Sequence, residues 1–133
     1  MGELGGVLGW ITGVSFIAAL LNYFVKRINK RWITSLPKES SFRSLYQEFM
    51  KFVVKNHKLF GIAAGVVVLI HLPVQITGMF ASVTGIMAAA LLLTAVIMGV
   101  VMFYGHKGKL LKAHRIIAMS GGVMFLLHLI IKM

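Results

Sequence analysis

Cysteine is absent from this 133-residue chain, which excludes disulfides, thiolate zinc sites and iron–sulfur clusters and leaves histidine as the side chain for any metal. Acidic residues are almost as scarce: Glu3, Glu39 and Glu48 are the only three, set against fourteen Lys and Arg. Proline is limited to Pro37 and Pro73, and charged residues make up 13% of the chain against about 25% in ordinary soluble domains. What fills the space is apolar. Hydrophobic residues account for 59% and the mean hydropathy is +0.90, a membrane composition rather than that of a soluble fold. The net charge of +11 reads as loop charges that orient membrane helices rather than as a nucleic-acid footprint, so no nucleic-acid partner is expected.

The uncharged runs define the spans. Leu4 to Val25 is one run, and Leu59 to His106 is a run of 48 residues that divides into two spans of roughly 20 residues each near Ala81-Ser82-Val83-Thr84-Gly85. Letting Arg115 snorkel to the interface gives a fourth. The sequence thus predicts an all-α polytopic four-helix bundle with spans 4–25, 59–81, 84–104 and 113–131, one domain in all. Met1-Gly2-Glu3 lacks a basic n-region, so no cleavable signal peptide is expected. Between spans one and two, Phe42, Leu45, Tyr46, Phe49 and Val53 recur at helical spacing, which predicts an interfacial amphipathic helix over 41–56, lying on the surface or extending the span, with docking of a soluble partner as the other use of that face. Thirteen of the fourteen cations fall in the first and third connections and Lys132 stands alone at the far end. The positive-inside rule then predicts cytoplasmic loops, both termini outside, and spans two and four running parallel in a prokaryotic cell membrane.

Two further features read as packing. Gly5, Gly9 and Gly13 recur every four residues in span one, a spacing that lets helices approach closely, and the nine methionines suit lipid-facing and packing positions. Pro73 is expected to kink or tune the outer end of span two.

The most informative feature is an internal repeat. HKLFGIAAGVVVLIHL at 57–72 matches HRIIAMSGGVMFLLHL at 114–129, offset by 57 residues, with both histidines of each copy in register. His57 and His71 are 14 residues apart, as are His114 and His128; at about 100° per residue the two of each helix fall within about 40° of one face, and at 1.5 Å per residue they stand about 21 Å apart along the axis. Parallel spans put His57 level with His114 and His71 level with His128. Imidazole pairs facing each other across two helices, at two depths, are what six-coordinate b-type haem needs, the porphyrin supplying four nitrogens and each helix one axial ligand. On the same faces lie Gly61, Ala64 and Gly65 in one copy and Ala118, Gly121 and Gly122 in the other, small enough to admit a broad plate, with Val68 and Phe125 placed to pack against the outer plate. Lys58 and Arg115 each follow an inner histidine, where a cation suits a propionate; Gln75, Thr77 and Lys132 are polar candidates at the outer end. His106 has no repeat partner and reads as a solvated loop residue. The rival readings of the histidines are a proton- or metal-conducting lining without haem, and packing.

On these residues the chain resembles the di-haem core shared by the cytochrome b proteins of respiratory complexes and the ferric-reductase-like transmembrane domains. The resemblance covers residues 57–129. It implies two haem b groups, His57, His71, His114 and His128 as axial ligands, and Gly65 and Gly122 as the small residues between the haems. The chain has no Pro-Glu-Trp-type quinol-site sequence and no flavin or nicotinamide domain, so neither quinol oxidation nor NADPH-dependent reduction carries over. The function implied is transmembrane electron transfer, an oxidoreductase activity or a wiring role within one, between a cytoplasmic-side flavoprotein or quinol and an outer acceptor; a membrane-anchor subunit of a larger oxidoreductase and a haem-free transporter are the alternatives.

Overall fold

The computed structural model describes residues 2–79, 82–105 and 107–132. His106 lies outside them, as does Ala81 of the expected boundary between spans two and three. Four helices, α1 (Gly2–Arg31), α2 (Ser41–Thr77), α3 (Val83–Phe103) and α4 (Lys107–Lys132), carry nearly the whole chain, and all four are long and apolar enough to cross a membrane. The protein is an integral membrane four-helix bundle. In lipid this is the expected solution, because a helix satisfies its backbone polar groups within itself.

The elements end where the sequence supplies a reason. Glu3 in the first turn of α1 and Lys30 and Arg31 in its last oppose the helix dipole. A 3₁₀ turn at Ile33–Ser35 follows, and Leu36, immediately before Pro37, is extended as the proline ring requires of its predecessor. Ser40 caps α2 by accepting from the Arg43 backbone N–H, and Ser82 caps α3 by accepting from Gly85 N–H at 3.2 Å. Gly105, between α3 and α4, takes φ +135°, a conformation that suits glycine.

The amphipathic stretch at 41–56 is helical but is not a separate interfacial element: it is the first part of α2, which runs 37 residues, or about 55 Å, against about 30 Å of hydrocarbon. Nothing in 41–56 interrupts the helix before the apolar run begins. The extension is tied back to α1 by the Tyr46 hydroxyl donating to the Val25 carbonyl at 3.0 Å, and Arg43 Nη1 donates to the Leu36 carbonyl at 2.6 Å. At the other end α2 continues through Pro73 to Thr77, whose hydroxyl donates to the Pro73 carbonyl at 2.9 Å.

The four helices form a closed ring in chain order. α1 packs along α2 and α3 along α4 as two hairpins, with smaller α2–α3 and α1–α4 contacts joining them. α2 and α4 are therefore parallel and diagonal, facing each other across the bundle axis. At the centre sit Phe16, Ala64, Val68, Ala89 and Leu92; Ala64, midway between His57 and His71, is completely buried. Most large apolar side chains point outward, Leu59, Ile62, Leu69, Val123 and Leu126 among them, as a lipid-solvated bundle requires.

The tight centre yields a stability prediction. Ala64→Leu should cost about 1–3 kcal/mol by overpacking, measured as earlier unfolding in a denaturing-detergent titration followed by circular dichroism, whereas Ile62→Leu on the lipid face should leave the midpoint unchanged.

Candidate functional site

Because α2 and α4 are parallel and diagonal, their histidines meet across the axis. The His57 and His114 rings have centroids 6.4 Å apart with planes at 84°. A metal ion bound between two imidazole nitrogens at about 2.0–2.1 Å, each ring centre lying roughly 1.1 Å behind its nitrogen, separates the centres by about 6.3 Å. Toward the other end, His71 and His128 line one cavity of about 340 Å³ together with Gln75, Lys132, Val68 and Phe125. Among the described residues there is no group of three or more His, Cys, Asp or Glu side chains able to hold a metal ion.

Behind each histidine stands α1 or α3, neither of which carries a histidine of its own. His57 Nδ1 lies 3.0 Å from the Ala19 carbonyl of α1, and His114 Nδ1 lies 2.9 Å from the Ala95 carbonyl of α3. A carbonyl only accepts, so in both rings Nδ1 carries the proton and Nε2 keeps its lone pair. This is the arrangement that orients metal-binding histidines elsewhere. His128 Nδ1 instead meets two hydroxyls, Ser82 Oγ at 3.1 Å and Thr84 Oγ1 at 3.3 Å. His71 Nδ1 is buried without a hydrogen-bond partner among the described residues, although the Gly5 carbonyl stands close enough to act on the ring.

These supports expose a second repeat, in α1 and α3, at an offset of 76 rather than 57. Ala19 matches Ala95 behind the histidines of the cation-rich end. Gly9 matches Gly85 at the other: a Cβ on Gly9 would stand 3.2 Å from His71 Cε1, and one on Gly85 3.0 Å from His128 Cε1. Between them Thr12, Gly13 and Phe16 match Ala88, Ala89 and Leu92, all buried. The chain is thus two copies of one helical hairpin. The offsets differ by 19 because 38 residues separate Ala19 from His57 and 19 separate Ala95 from His114; the first hairpin carries the long extension.

The remaining candidates divide. A Cβ on Gly61 would meet nothing within 4 Å, and Ala118 is half-buried. Gly65 turns toward α3, where a Cβ would stand 3.3 Å from Val96, and Gly122 turns toward α1 and Leu20. Both act as spacers that admit the neighbouring helix. Midway between the histidine levels stand Ala64 and Gly121, the latter against Phe16 and Leu91. Lys58 Nζ lies 4.0 Å from the Phe103 ring centre and the Arg115 guanidinium 5.7 Å from that of Tyr23, so neither cation is turned onto the histidine pair. Thr77 bonds back to its own helix.

Sequence reasoning missed the contribution of α1 and α3. The glycine ladder assigned to packing alone reaches the opposite-end site: Gly5 abuts Gln75, Gly9 abuts His71, and Gly13 leaves the space that the Phe125 ring occupies. The available signal was the spacing of Gly9 and Ala19, which recurs at Gly85 and Ala95.

The carbonyl contacts predict tautomers. Nitrogen-15 NMR of the protein without added ligand should find His57 and His114 protonated at Nδ1; protonation at Nε2 in either would contradict the geometry.

No protein-family model matches the chain, and no curated protein or solved structure matches it either.

Proposed function

We propose that the protein is a minimal di-haem b-type membrane cytochrome that carries electrons between the two membrane faces, one haem between His57 and His114 and the other between His71 and His128. The observation that carries this reading is the His57–His114 pair, with ring centroids 6.4 Å apart and both Nδ1 atoms tied to carbonyls. Two nitrogens with no third protein ligand beside them among the described residues are too few for the usual four-coordinate zinc site; they suit a group that brings four nitrogens of its own. That argument also weighs against a divalent-metal conduit. The cavity between His71 and His128 supports a second site at the other depth, as does the resemblance to di-haem cores.

Bound haem supplies a reversible one-electron couple at iron. The chain supplies the rest. His57 with His114, and His71 with His128, would hold the two irons through their imidazoles, and the chemistry supplied there would be outer-sphere one-electron exchange with partners rather than oxygen binding. Lys58 and Arg115 are exposed, and an exposed cation–π contact is worth about 0.5–1 kcal/mol, less than the about 1.5–3 kcal/mol of a hydrogen bond to a charged group; both are suited to leave their aromatic rings for a propionate. Cytoplasmic placement of the cation-rich end follows from the positive-inside rule. It puts the His57/His114 pair nearer a flavoprotein or quinol donor and the other pair nearer an outer acceptor, with both termini outside a prokaryotic cell membrane. The same residues serve equally if the chain wires a larger oxidoreductase as its membrane anchor.

Purified protein should contain two haems per chain by pyridine haemochrome assay, falling to one in His71→Ala; a ratio near one in the parent, or no change in the variant, would contradict the ligand assignment. Reporter fusions to either terminus should be active only outside the cytoplasm, and a fusion active only within it would reverse the orientation.

A further inference from the structure

Residues 59–77 of α2 span about 27 Å, close to the about 30 Å of hydrocarbon, so the part of the helix before Lys58 stands clear of the lipid tails. Counted outward from Leu59, Phe52, Phe49, Leu45 and Phe42 lie about 10 to 25 Å along the axis, past a headgroup layer of about 5–7 Å. A tilt of about 40°, the upper end for membrane helices, takes only about a quarter off these heights. All four are bare: Phe42 is 60% exposed, Leu45 67%, Phe49 47% and Phe52 59%. Elsewhere on the bundle exposed apolar side chains meet lipid, and here they meet water. An amphipathic helix can bury such a stripe by lying down in the interface. This one is held upright by the Tyr46–Val25 and Arg43–Leu36 hydrogen bonds and by its unbroken run into the span.

The spacing of the four is a heptad seam. Positions 42, 45, 49 and 52 alternate steps of three and four, and Asn56, Leu59, Ala63, Val66 and Ile70 continue the alternation into the span. Phe42, Phe49, Asn56, Ala63 and Ile70 take the a positions of a coiled coil, and Leu45, Phe52, Leu59 and Val66 the d positions. Every charged residue of 41–58 lies off the seam: Arg43, Glu48, Lys51, Lys55 and Lys58. The neighbouring helices leave it open. Tyr46, bonded to Val25 of α1, and the buried Val53 hold e positions, and Lys58, over Phe103 of α3, a c position.

We propose that α2 of a second copy of this chain occupies the seam, so that the protein is a parallel, two-fold symmetric homodimer. Three observations choose that occupant. The seam crosses from water into lipid in one register, so what covers it must be a helix that crosses with it; a soluble partner would reach only the first four positions. A second copy inserted in the same orientation presents the same seam at the same depth, as an isologous interface requires. The second observation is Asn56. A single asparagine at an a position fixes register and favours two strands. Asn56 Nδ2 donates to the Phe52 carbonyl of its own helix at 2.8 Å, and its Oδ1 is an acceptor for the Asn56 amide of the second copy. The third is area. The seven large apolar side chains of the seam expose the equivalent of about four whole residues, on the order of 700 Å² per copy at roughly 150–200 Å² each, against about 800 Å² per partner in a standard interface. Charge does not oppose the pairing, because parallel helices set g against e, and Lys55 falls opposite Phe60 of the second copy rather than a like charge.

The test is disulfide mapping of the full-length protein in the membranes of cells that express it. Because the chain has no cysteine, a single introduced one reports alone, and all the positions chosen are exposed, so the fold tolerates the change. On mild oxidation Leu45→Cys and Phe49→Cys should each run at twice the monomer mass on a non-reducing gel, while Ser44→Cys and Lys51→Cys, on the same stretch of helix but off the seam, should stay monomeric. Adding Phe49→Lys to Leu45→Cys puts two like charges at one a level and should weaken the dimer band at least tenfold. No dimer at Leu45→Cys and Phe49→Cys, equal dimer at all four positions, or a band that survives Phe49→Lys overturns the proposal. A product of any mass other than two chains assigns the seam to a different protein and overturns it as well. None of these results depends on bound haem.

Discussion

An imidazole inside a bilayer has two nitrogens and no water to satisfy them, and the bundle is organised around that constraint. Burying a polar group without a hydrogen bond costs several kcal/mol on an alkane scale, and the cost is multiplied by four histidines. The first and third helices and their ends meet the demand at Nδ1 for three of them: Ala19 for His57, Ala95 for His114, and Ser82 and Thr84 for His128. With Nδ1 engaged as a donor, Nε2 keeps its lone pair in His57 and His114. The close hairpin contacts of α1 with α2 and of α3 with α4 have the same origin, since each hairpin pairs a histidine helix with the helix that supports it.

Duplication of such a hairpin gives the rest of the architecture. Two copies in a ring place the histidine helices on a diagonal, parallel, with their residues at matching depths. Small residues at Gly9 and Gly85 let the supporting helix reach the ring, and the completely buried Ala64 keeps the midplane between the two levels tight. The copies differ at two places: the first has the long extension at the cation-rich end, and the second has the hydroxyls at Ser82 and Thr84.

The four spans and the histidine registers were legible because length, charge and identity at fixed spacing are one-dimensional signals. The duplication of α1 and α3 was not, since what its copies share is a backbone carbonyl and small size: Gly13 matches Ala89 and Thr12 matches Ala88, with little identity to read. For 41–56 the sequence left a surface-lying and a span-extending helix both open, and α2 takes the second form; an amphipathic pattern gives a helix its period but not its junctions. Gly65 and Gly122 share a face with the histidines at the resolution of a helical wheel, yet the lateral positions of α3 and α1 decide what each glycine meets, and that is a property of packing.

The central claim is that paired imidazoles hold haem iron at both axial positions. A reduced-minus-oxidised absorbance spectrum of the purified protein, recorded with and without carbon monoxide, tests it most directly. The account predicts the sharp bands of low-spin b-type haem, unchanged by carbon monoxide because no axial position is open. Colourless protein, or bands displaced by carbon monoxide, would contradict it.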